Sequence, residues 1–169
     1  MSPFIFIAFQ FAIIAYALVS GVFLAFSDFI MRSLAHTGGI GGVDAMQAIN
    51  REVFRWVFMT LFIGMAPISL GIAAYGEFVV GNGPGTLFVL AGLIYFLGCF
   101  GVTVFFNVPM NEALAGMDAS SPAASDYWTG TYMPRWTFWN SVRTAASALS
   151  AAMLLFGLLW LTQSQAQPV

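Results

Sequence analysis

The sequence predicts an all-α fold, an integral membrane bundle of four transmembrane helices that extend beyond the bilayer on the cytoplasmic side. Hydrophobic residues make up 60% of the 169-residue chain and charged residues only 7%, whereas about a quarter of the residues in a soluble domain are charged. A helix that crosses a bilayer needs about 20 mostly apolar residues. The chain provides four such stretches, and we therefore expect one transmembrane domain over residues 1–163 and a flexible tail over residues 164–169. The predicted spans are residues 3–27, 54–76, 85–106 and 144–162.

The first span carries no charged side chain, and Gln10 is its only strongly polar residue. A cleaved signal peptide is the alternative interpretation, but the segment lacks the basic residues that precede the apolar core of such a peptide. We therefore expect a membrane anchor. The helix should continue to the glycine-rich residues 37–42, after which Asp44 is a suitable N-cap for one long helix that runs into the second span.

The second span contains Arg55 near its start and Pro67 in its middle. A short hairpin at residues 77–84, rich in the turn formers Gly, Asn and Pro, should join it to the uncharged third span. Pro109 is expected to end the third span. Residues 118–126 form a loop by composition, and Pro134 suits the first turn of the last helix, where its missing N–H costs no hydrogen bond.

The charged residues are concentrated in the two long connections, at residues 28–53 and 107–143. Six of the seven acidic residues lie there, and all five arginines lie in or beside them. By the positive-inside rule both connections face the cytoplasm, which places both termini and the short hairpin outside the inner, or plasma, membrane. Most of the ionisable chemistry should therefore occur on one side. The arginines are Arg32, Arg51, Arg55, Arg135 and Arg143.

Composition and motif content exclude several classes of function. A chain with five Arg and no Lys does not form the basic surface that a nucleic acid requires. The single Cys99 cannot form an internal disulfide or a thiolate zinc site, and with one histidine we expect no metal site. Walker A, GxGxxG, GxSxG and HExxH motifs are absent from the sequence. The spans also lack the mid-depth ionisable groups of an ion pathway.

Small residues recur at helical spacing, for example Ala17, Gly21 and Ala25 in the first span. Such spacing permits close approach of helix backbones in lipid, where the hydrophobic effect does not drive helices together. One compact four-helix bundle explains the pattern, and a homodimer interface is the alternative interpretation.

A candidate binding face lies at the start of the last helix. Trp136, Asn140 and Arg143 are separated by four and three residues and therefore share one helix face. Trp139 is adjacent, and Tyr132 precedes them. An aromatic belt with an arginine that reaches the headgroups is the alternative, but it does not explain Asn140, because an amide gains nothing from contact with lipid.

Four further amides are expected to converge on this face. Two lie three residues apart before the second span, and two flank Pro109, which frees a backbone carbonyl that an amide can satisfy. Helix capping is the alternative role for the second pair. The four residues are Gln47, Asn50, Asn107 and Asn111.

His36 is the only residue expected to titrate near neutral pH. It precedes the glycine-rich segment, and it is either a structural or capping residue or a general base. Asp28 and Arg32, four residues apart, are expected to form an ion pair on the first helix.

Four motifs occur in order along the chain. They are GVFLAFSDFIMRSL at the end of the first span, MQAIN at residues 46–50, NVPMNEAL after the third span, and a W-x-x-W-N-x-x-R run from Trp136 to Arg143. Together they resemble the anthrone oxygenase-like family of membrane proteins, also called DUF1772, over residues 16–152. Characterised fungal members of that family oxidise anthrones to anthraquinones in polyketide pathways.

The resemblance implies a cofactor-independent monooxygenase, an oxidoreductase whose small-molecule partner is an apolar polycyclic phenol. The doubly benzylic C–H of an anthrone is acidic, and its enolate can pass an electron to dioxygen without a metal. The expected catalytic residues are His36 as base, Asn140 as an amide donor to the enolate oxygen and Arg143 as its counter-charge. The expected substrate-binding residues are Gln47, Asn50, Asn107, Asn111, Tyr132, Trp136 and Trp139, with Gln47 and Asn111 as further amide donors and the two tryptophans as a planar wall.

The alternative hypothesis is a non-enzymatic membrane protein. It would bind a lipid, a quinone or another membrane subunit, and the polar cluster would hold the helices together.

Overall fold

The computed structural model describes residues 1–55 and 57–166, and over these residues it is helical and contains no strand. Four helices are long and apolar enough to cross a membrane, which confirms the predicted four-helix membrane fold. The residues beyond 166 in the predicted tail lie outside the described part of the chain. The helices are α1 (Pro3–Ala35), α2 (Gly38–Glu52), α3 (Val57–Val80), α4 (Asn82–Ala115) and α5 (Pro122–Ser164, continuing to Ala166), of which α2 is the shorter connecting helix.

Three of the four spanning helices are longer than a bilayer requires. Helices α1, α4 and α5 contain 33, 34 and 43 residues. At about 1.5 Å per residue, each exceeds the roughly 30 Å thickness of the hydrocarbon core. These helices therefore extend past the hydrocarbon. The prediction that the extensions face the cytoplasm stays a prediction.

The bundle is built around α5, which packs against both α1 and α4, while α3 packs against α4. The main apolar core lies among these helices and includes the fully buried Tyr16, Phe88 and Tyr95. A second apolar cluster, which includes Met46 and Trp128, lies where α2 packs against the end of α4 and the start of α5. We call this region the α2 end of the bundle.

Glycine permits close contact between α3 and α4. A Cβ atom at Gly76 would lie 2.5 Å from the main-chain oxygen of Gly85. By contrast, Ala17 and Gly21 of the predicted small-residue stripe are exposed on α1. The packing of the bundle therefore does not explain that stripe.

Two prolines lie within helices, where the sequence predicted a helix end at Pro109 and a helix start at Pro134. Each follows a π-helical turn, Thr103–Asn107 in the first case and Trp128–Tyr132 in the second. Proline lacks an N–H and its ring crowds the carbonyl four residues earlier, and the wider hydrogen bonds of a π turn accommodate both defects. Helices α4 and α5 therefore continue through these prolines, and α5 begins instead at Pro122.

The hairpin between α3 and α4 is shorter than predicted. Helix α3 continues to Val80 and α4 begins at Asn82, so that Gly81 alone connects them. Gly81 has a φ of 63°, a left-handed conformation that glycine adopts without steric cost.

The helix before the second span also differs from the prediction. It begins at Gly38 rather than near Asp44, and it does not run into the second span because residues 53–55 form a turn. One glycine of the glycine-rich segment, Gly42, packs closely against a neighbouring helix. A Cβ atom at Gly42 would lie 3.0 Å from the ring of Trp128, so the absence of a side chain lets α2 approach α5.

Candidate functional site

The α2 end of the bundle contains a buried arginine. Arg143 lies on α5 and is only 4% exposed. Its Nη2 donates to Asn140 Oδ1 at 2.7 Å, and its Nη1 donates to Thr103 Oγ1 at 3.3 Å. The guanidinium carbon lies 4.1 Å from the ring centre of Phe23 and 5.1 Å from that of Trp136. The cation is therefore held by two polar side chains and two aromatic rings.

No carboxylate neutralises Arg143 among the described residues. The ion pairs in this part of the chain join Arg32 to Asp28 at 3.1 Å, as the spacing predicted, and Arg55 to Glu52 at 2.8 Å. Nε of Arg143 also has no hydrogen-bond partner within the described ranges. Because a buried charge is costly unless it is paired, Arg143 retains the capacity to bind an anionic oxygen.

Asn140 positions the guanidinium group. It is fully buried, and its Nδ2 donates to the main-chain oxygen of Phe23 and to Ser27 Oγ, both at 2.6 Å. Ser27 in turn accepts a hydrogen bond from the Ser141 hydroxyl at 2.9 Å. Because α1 occupies the amide N–H groups, the amide oxygen faces Arg143. Asn140 therefore orients the arginine and has no free donor for a ligand.

Arg143 lines a cavity of about 90 Å³ at the α2 end. Its polar lining comes from Arg143, Asn50, Thr103 and Asn111, and the rest is aromatic or aliphatic. The wall formed by the start of α3 and the turn before it includes Phe54, which is 69% exposed. The remaining lining residues are Val22, Phe23, Phe26, Met46, Ile49, Val53, Phe58, Met59, Phe62, Val108 and Trp136.

A hydrogen-bonded network forms a second polar part of the cavity wall. Asn111 Oδ1 accepts the Tyr132 hydroxyl at 2.7 Å and the Trp136 indole N–H at 2.8 Å. Asn50 Nδ2 donates to the Tyr132 hydroxyl at 3.4 Å. The rings of Tyr132 and Trp136 are nearly parallel, with centres 6.0 Å apart. The predicted convergence of α2, α4 and α5 therefore occurs through these four side chains.

Gln47 and Asn107 are buried but do not line the cavity. Gln47 Nε2 donates to the main-chain oxygens of Leu114 at 2.8 Å and Met117 at 2.9 Å. Asn107 Nδ2 donates to the main-chain oxygen of Trp136 at 3.3 Å. Both amides join α4 to a neighbouring helix, so their contacts are structural.

Two further predicted site residues lie apart from the cavity. Trp139 stacks on Phe106 with ring centres 3.8 Å apart, and neither ring lines the cavity. His36 is exposed at the end of α1 and does not line the cavity either. The structure therefore brings together only part of the predicted set.

Three of the side chains that contact Arg143 or Asn140 were not predicted from the sequence. Phe23 and Ser27 lie on α1, and Thr103 lies in a span that the sequence describes only as uncharged. A weak signal existed for Thr103, a hydroxyl one helical turn before Asn107 in an apolar helix. Nothing in the local pattern of α1 indicates that Phe23 faces an arginine on another helix.

The arrangement suits a planar ligand that carries an anionic oxygen. Arg143 supplies the positive charge, and the surrounding aromatic rings supply flat apolar surfaces. Among the described residues, no group of three or more His, Cys, Asp or Glu side chains is placed to hold a metal ion.

Comparisons with known proteins identify one family. No curated protein and no solved structure matches the chain. A family model described as anthrone oxygenase matches residues 52–153, a range that includes Asn111, Trp136, Asn140 and Arg143. Because this match covers more than half of the sequence, the chain belongs to the anthrone oxygenase family.

Proposed function

We propose that the protein is a cofactor-independent monooxygenase that oxidises an anthrone-like polycyclic phenol within the membrane. The observation that carries the proposal is Arg143, a buried cation that has no carboxylate partner among the described residues and lines an aromatic cavity. An enolate oxygen supplies the negative charge that this cation lacks. Since electrostatic interactions strengthen where water is excluded, the guanidinium group stabilises the enolate relative to the neutral ketone.

The reaction balances with dioxygen as the only oxidant. The substrate loses the proton of its doubly benzylic C–H to a base, and the guanidinium group of Arg143 stabilises the enolate that forms. The enolate then transfers one electron to dioxygen, and the carbon radical combines with superoxide to form a C–O bond. Loss of water from the protonated peroxide gives the quinone. One anthrone and one dioxygen therefore yield one anthraquinone and one water.

The size of the cavity indicates how a polycyclic substrate binds. Its volume of about 90 Å³ is smaller than the roughly 150 Å³ of an engineered cavity that binds benzene. A substrate with fused rings must therefore displace part of the wall. Phe54 is exposed and Met59 has a flexible unbranched side chain, so we expect these two residues to move when such a substrate binds.

Oxygen consumption by the purified protein tests this function. We expect the protein in detergent at pH 7 to consume one dioxygen per anthrone, without added metal and with a chelator present. The expected product is the anthraquinone, measured by its absorbance. A rate equal to that of the spontaneous oxidation in the same detergent would refute an oxygenase. Retention of a stoichiometric lipid or quinone in native mass spectrometry, with no oxidation, would support the non-enzymatic alternative.

The sequence predicts His36 as the general base, whereas its place outside the cavity favours a structural role, and a substitution decides between the two. Because His36 is exposed and outside the cavity, we expect the His36→Ala variant to oxidise anthrone within about two-fold of the parent rate, as is usual for surface positions. The measurement is the initial rate of dioxygen uptake between pH 6 and 8. A large loss of rate that is rescued by added imidazole would show that His36 is the base.

The two tryptophans of the predicted planar wall should contribute unequally. Trp136→Phe removes the indole N–H that Asn111 accepts and part of the cavity wall, and we expect a roughly ten-fold loss of kcat/KM. Trp139→Phe keeps a ring on Phe106 outside the cavity, and we expect little change. Equal losses in the two variants would contradict the assignment of this cavity as the substrate site.

A further inference from the structure

The polar network of Asn50, Asn111, Tyr132 and Trp136 has a fixed hydrogen-bond direction. The indole N–H of Trp136 can only donate, and it contacts the amide of Asn111 at 2.8 Å. The amide atom at this position must therefore be Oδ1. This one group determines the orientation of the Asn111 amide.

The same constraint passes to Tyr132 and Asn50. The Tyr132 hydroxyl has one proton, and it donates that proton to Asn111 Oδ1 at 2.7 Å. Toward Asn50 the phenol oxygen is therefore an acceptor, which receives the amide N–H of Asn50 at 3.4 Å. The Asn50 amide is thus oriented with its nitrogen toward Tyr132, and its oxygen is left for another partner.

Two groups at the ends of this network have no hydrogen-bond partner among residues 1–55 and 57–166: the N–H groups of Asn111 Nδ2 and the oxygen Oδ1 of Asn50. Both residues line the cavity, and both contact the hydroxyl of Tyr132. The residues that line the cavity therefore include one with an unused donor and one with an unused acceptor, both bonded to the Tyr132 hydroxyl. A neutral hydroxyl group satisfies both, because it accepts from Asn111 and donates to Asn50.

We propose that Asn50 and Asn111 form a second polar subsite, which binds a neutral hydroxyl group on the ring system whose anionic oxygen binds Arg143. A methoxy group or a carbonyl at this position satisfies Asn111 but leaves the Asn50 oxygen unpaired. An ionised oxygen would meet the Asn50 oxygen with like partial charge. The substrate class is thus a polycyclic phenol with a second, un-ionised hydroxyl. The subsite rests on the proposed function only in assigning the first oxygen to Arg143.

Binding of two matched probes tests the subsite without requiring oxidation. The probes are 2,6-dihydroxynaphthalene and 6-methoxy-2-naphthol, in which the second oxygen carries a hydrogen and a methyl group, respectively. We expect the parent protein in lipid nanodiscs to bind the diol about ten-fold more tightly, because the methoxy compound leaves a polar group unpaired. Equilibrium dialysis at pH 7 measures both dissociation constants. Equal constants for the parent protein would overturn the proposal.

Two variants test whether the preference for the diol arises from the network. Asn50→Leu removes the acceptor at nearly constant volume, and we expect it to abolish the preference for the diol without weakening the binding of the methoxy compound. Thr103→Val removes a hydroxyl that contacts Arg143 but lies outside the network, and we expect it to affect both probes equally. A full preference in Asn50→Leu would overturn the proposal.

The two proposals fail in different ways. A preference for the diol in a protein that does not oxidise anthrone would support the subsite and refute the proposed oxygenase activity. Oxidation of anthrone together with equal probe binding would support the oxygenase activity and refute the subsite. Equal binding of the two probes by the parent protein refutes the subsite without any variant, so the proposal stays falsifiable even if a variant fails to fold.

Discussion

Replacing Arg143 by methionine should lower the rate of anthrone oxidation at least 100-fold while the bundle remains folded. The lost rate follows from the loss of Arg143, the only cation among the described residues that line the cavity, since removal of a single donor to a developing oxyanion costs roughly 100- to 1,000-fold in other enzymes. The measurement is dioxygen uptake at saturating anthrone. The matched control is Arg32→Met, which changes an exposed arginine that is paired with Asp28, and we expect it to keep the parent rate.

The stability of the same variant separates the enzyme from the non-enzymatic alternative. Removing a buried cation relieves a desolvation penalty of several kcal/mol, whereas Asn140 Oδ1 loses its donor at a cost of about 1–3 kcal/mol. We therefore expect the Tm of Arg143→Met in detergent to be unchanged or higher than that of the parent. A protein in which Arg143 holds the helices together would instead show a clear fall in Tm.

The sequence predicts the class of fold and one face of the site, because both depend on local patterns. Four apolar stretches predict four helices, and the spacing of Trp136, Asn140 and Arg143 places them on one face of α5. The spacing does not reveal what faces them. Phe23 contacts the Arg143 guanidinium and Asn140 from another helix, and only the packing of α1 against α5 brings it there.

Predictions from local sequence rules were wrong at two prolines, where the helix continues instead of ending. Pro109 and Pro134 were expected to mark helix ends, as they do in water-soluble chains. The π-helical turn before each proline accommodates its missing N–H and its ring, so α4 and α5 are continuous through both prolines. This continuity places Asn111 on the same helix as Thr103, so that both line one cavity.

Amide side chains that lie close together in the sequence also differ in their surroundings, and the sequence pattern does not distinguish them. Gln47 and Asn50 lie three residues apart on α2, yet Gln47 bonds the main chain at the end of α4 and only Asn50 lines the cavity. The register of α2 against α4 decides which amide remains available. Sequence reasoning predicted both as substrate-binding residues because it had no access to that register.

The second large effect should be on stability, at the end of the bundle opposite the cavity. A Cβ atom at Gly76 would lie 2.5 Å from the main-chain oxygen of Gly85 and 2.7 Å from Phe88 Cβ. Neither atom can move unless α3 separates from α4. We expect Gly76→Ala to destabilise the protein by about 3 kcal/mol, the upper part of the usual range for overpacking, and to lower its Tm in detergent markedly.

Gly71→Ala is the matched control, because it makes the same substitution five residues earlier on α3 where nothing lies within 4 Å of the added Cβ. It should be neutral or stabilising by at most about 1 kcal/mol, since alanine has a higher helix propensity than glycine. The protein that remains folded in Gly76→Ala should oxidise anthrone at the parent rate, because the contact is remote from Arg143. Equal Tm values for the two variants would contradict the close α3–α4 contact, and a selective loss of rate in Gly76→Ala would contradict the placement of the site at the α2 end. Arg143→Met is thus expected to lower the rate but not the Tm, whereas Gly76→Ala is expected to lower the Tm but not the rate. If Arg143 only held the helices together, Arg143→Met would lower the Tm as well.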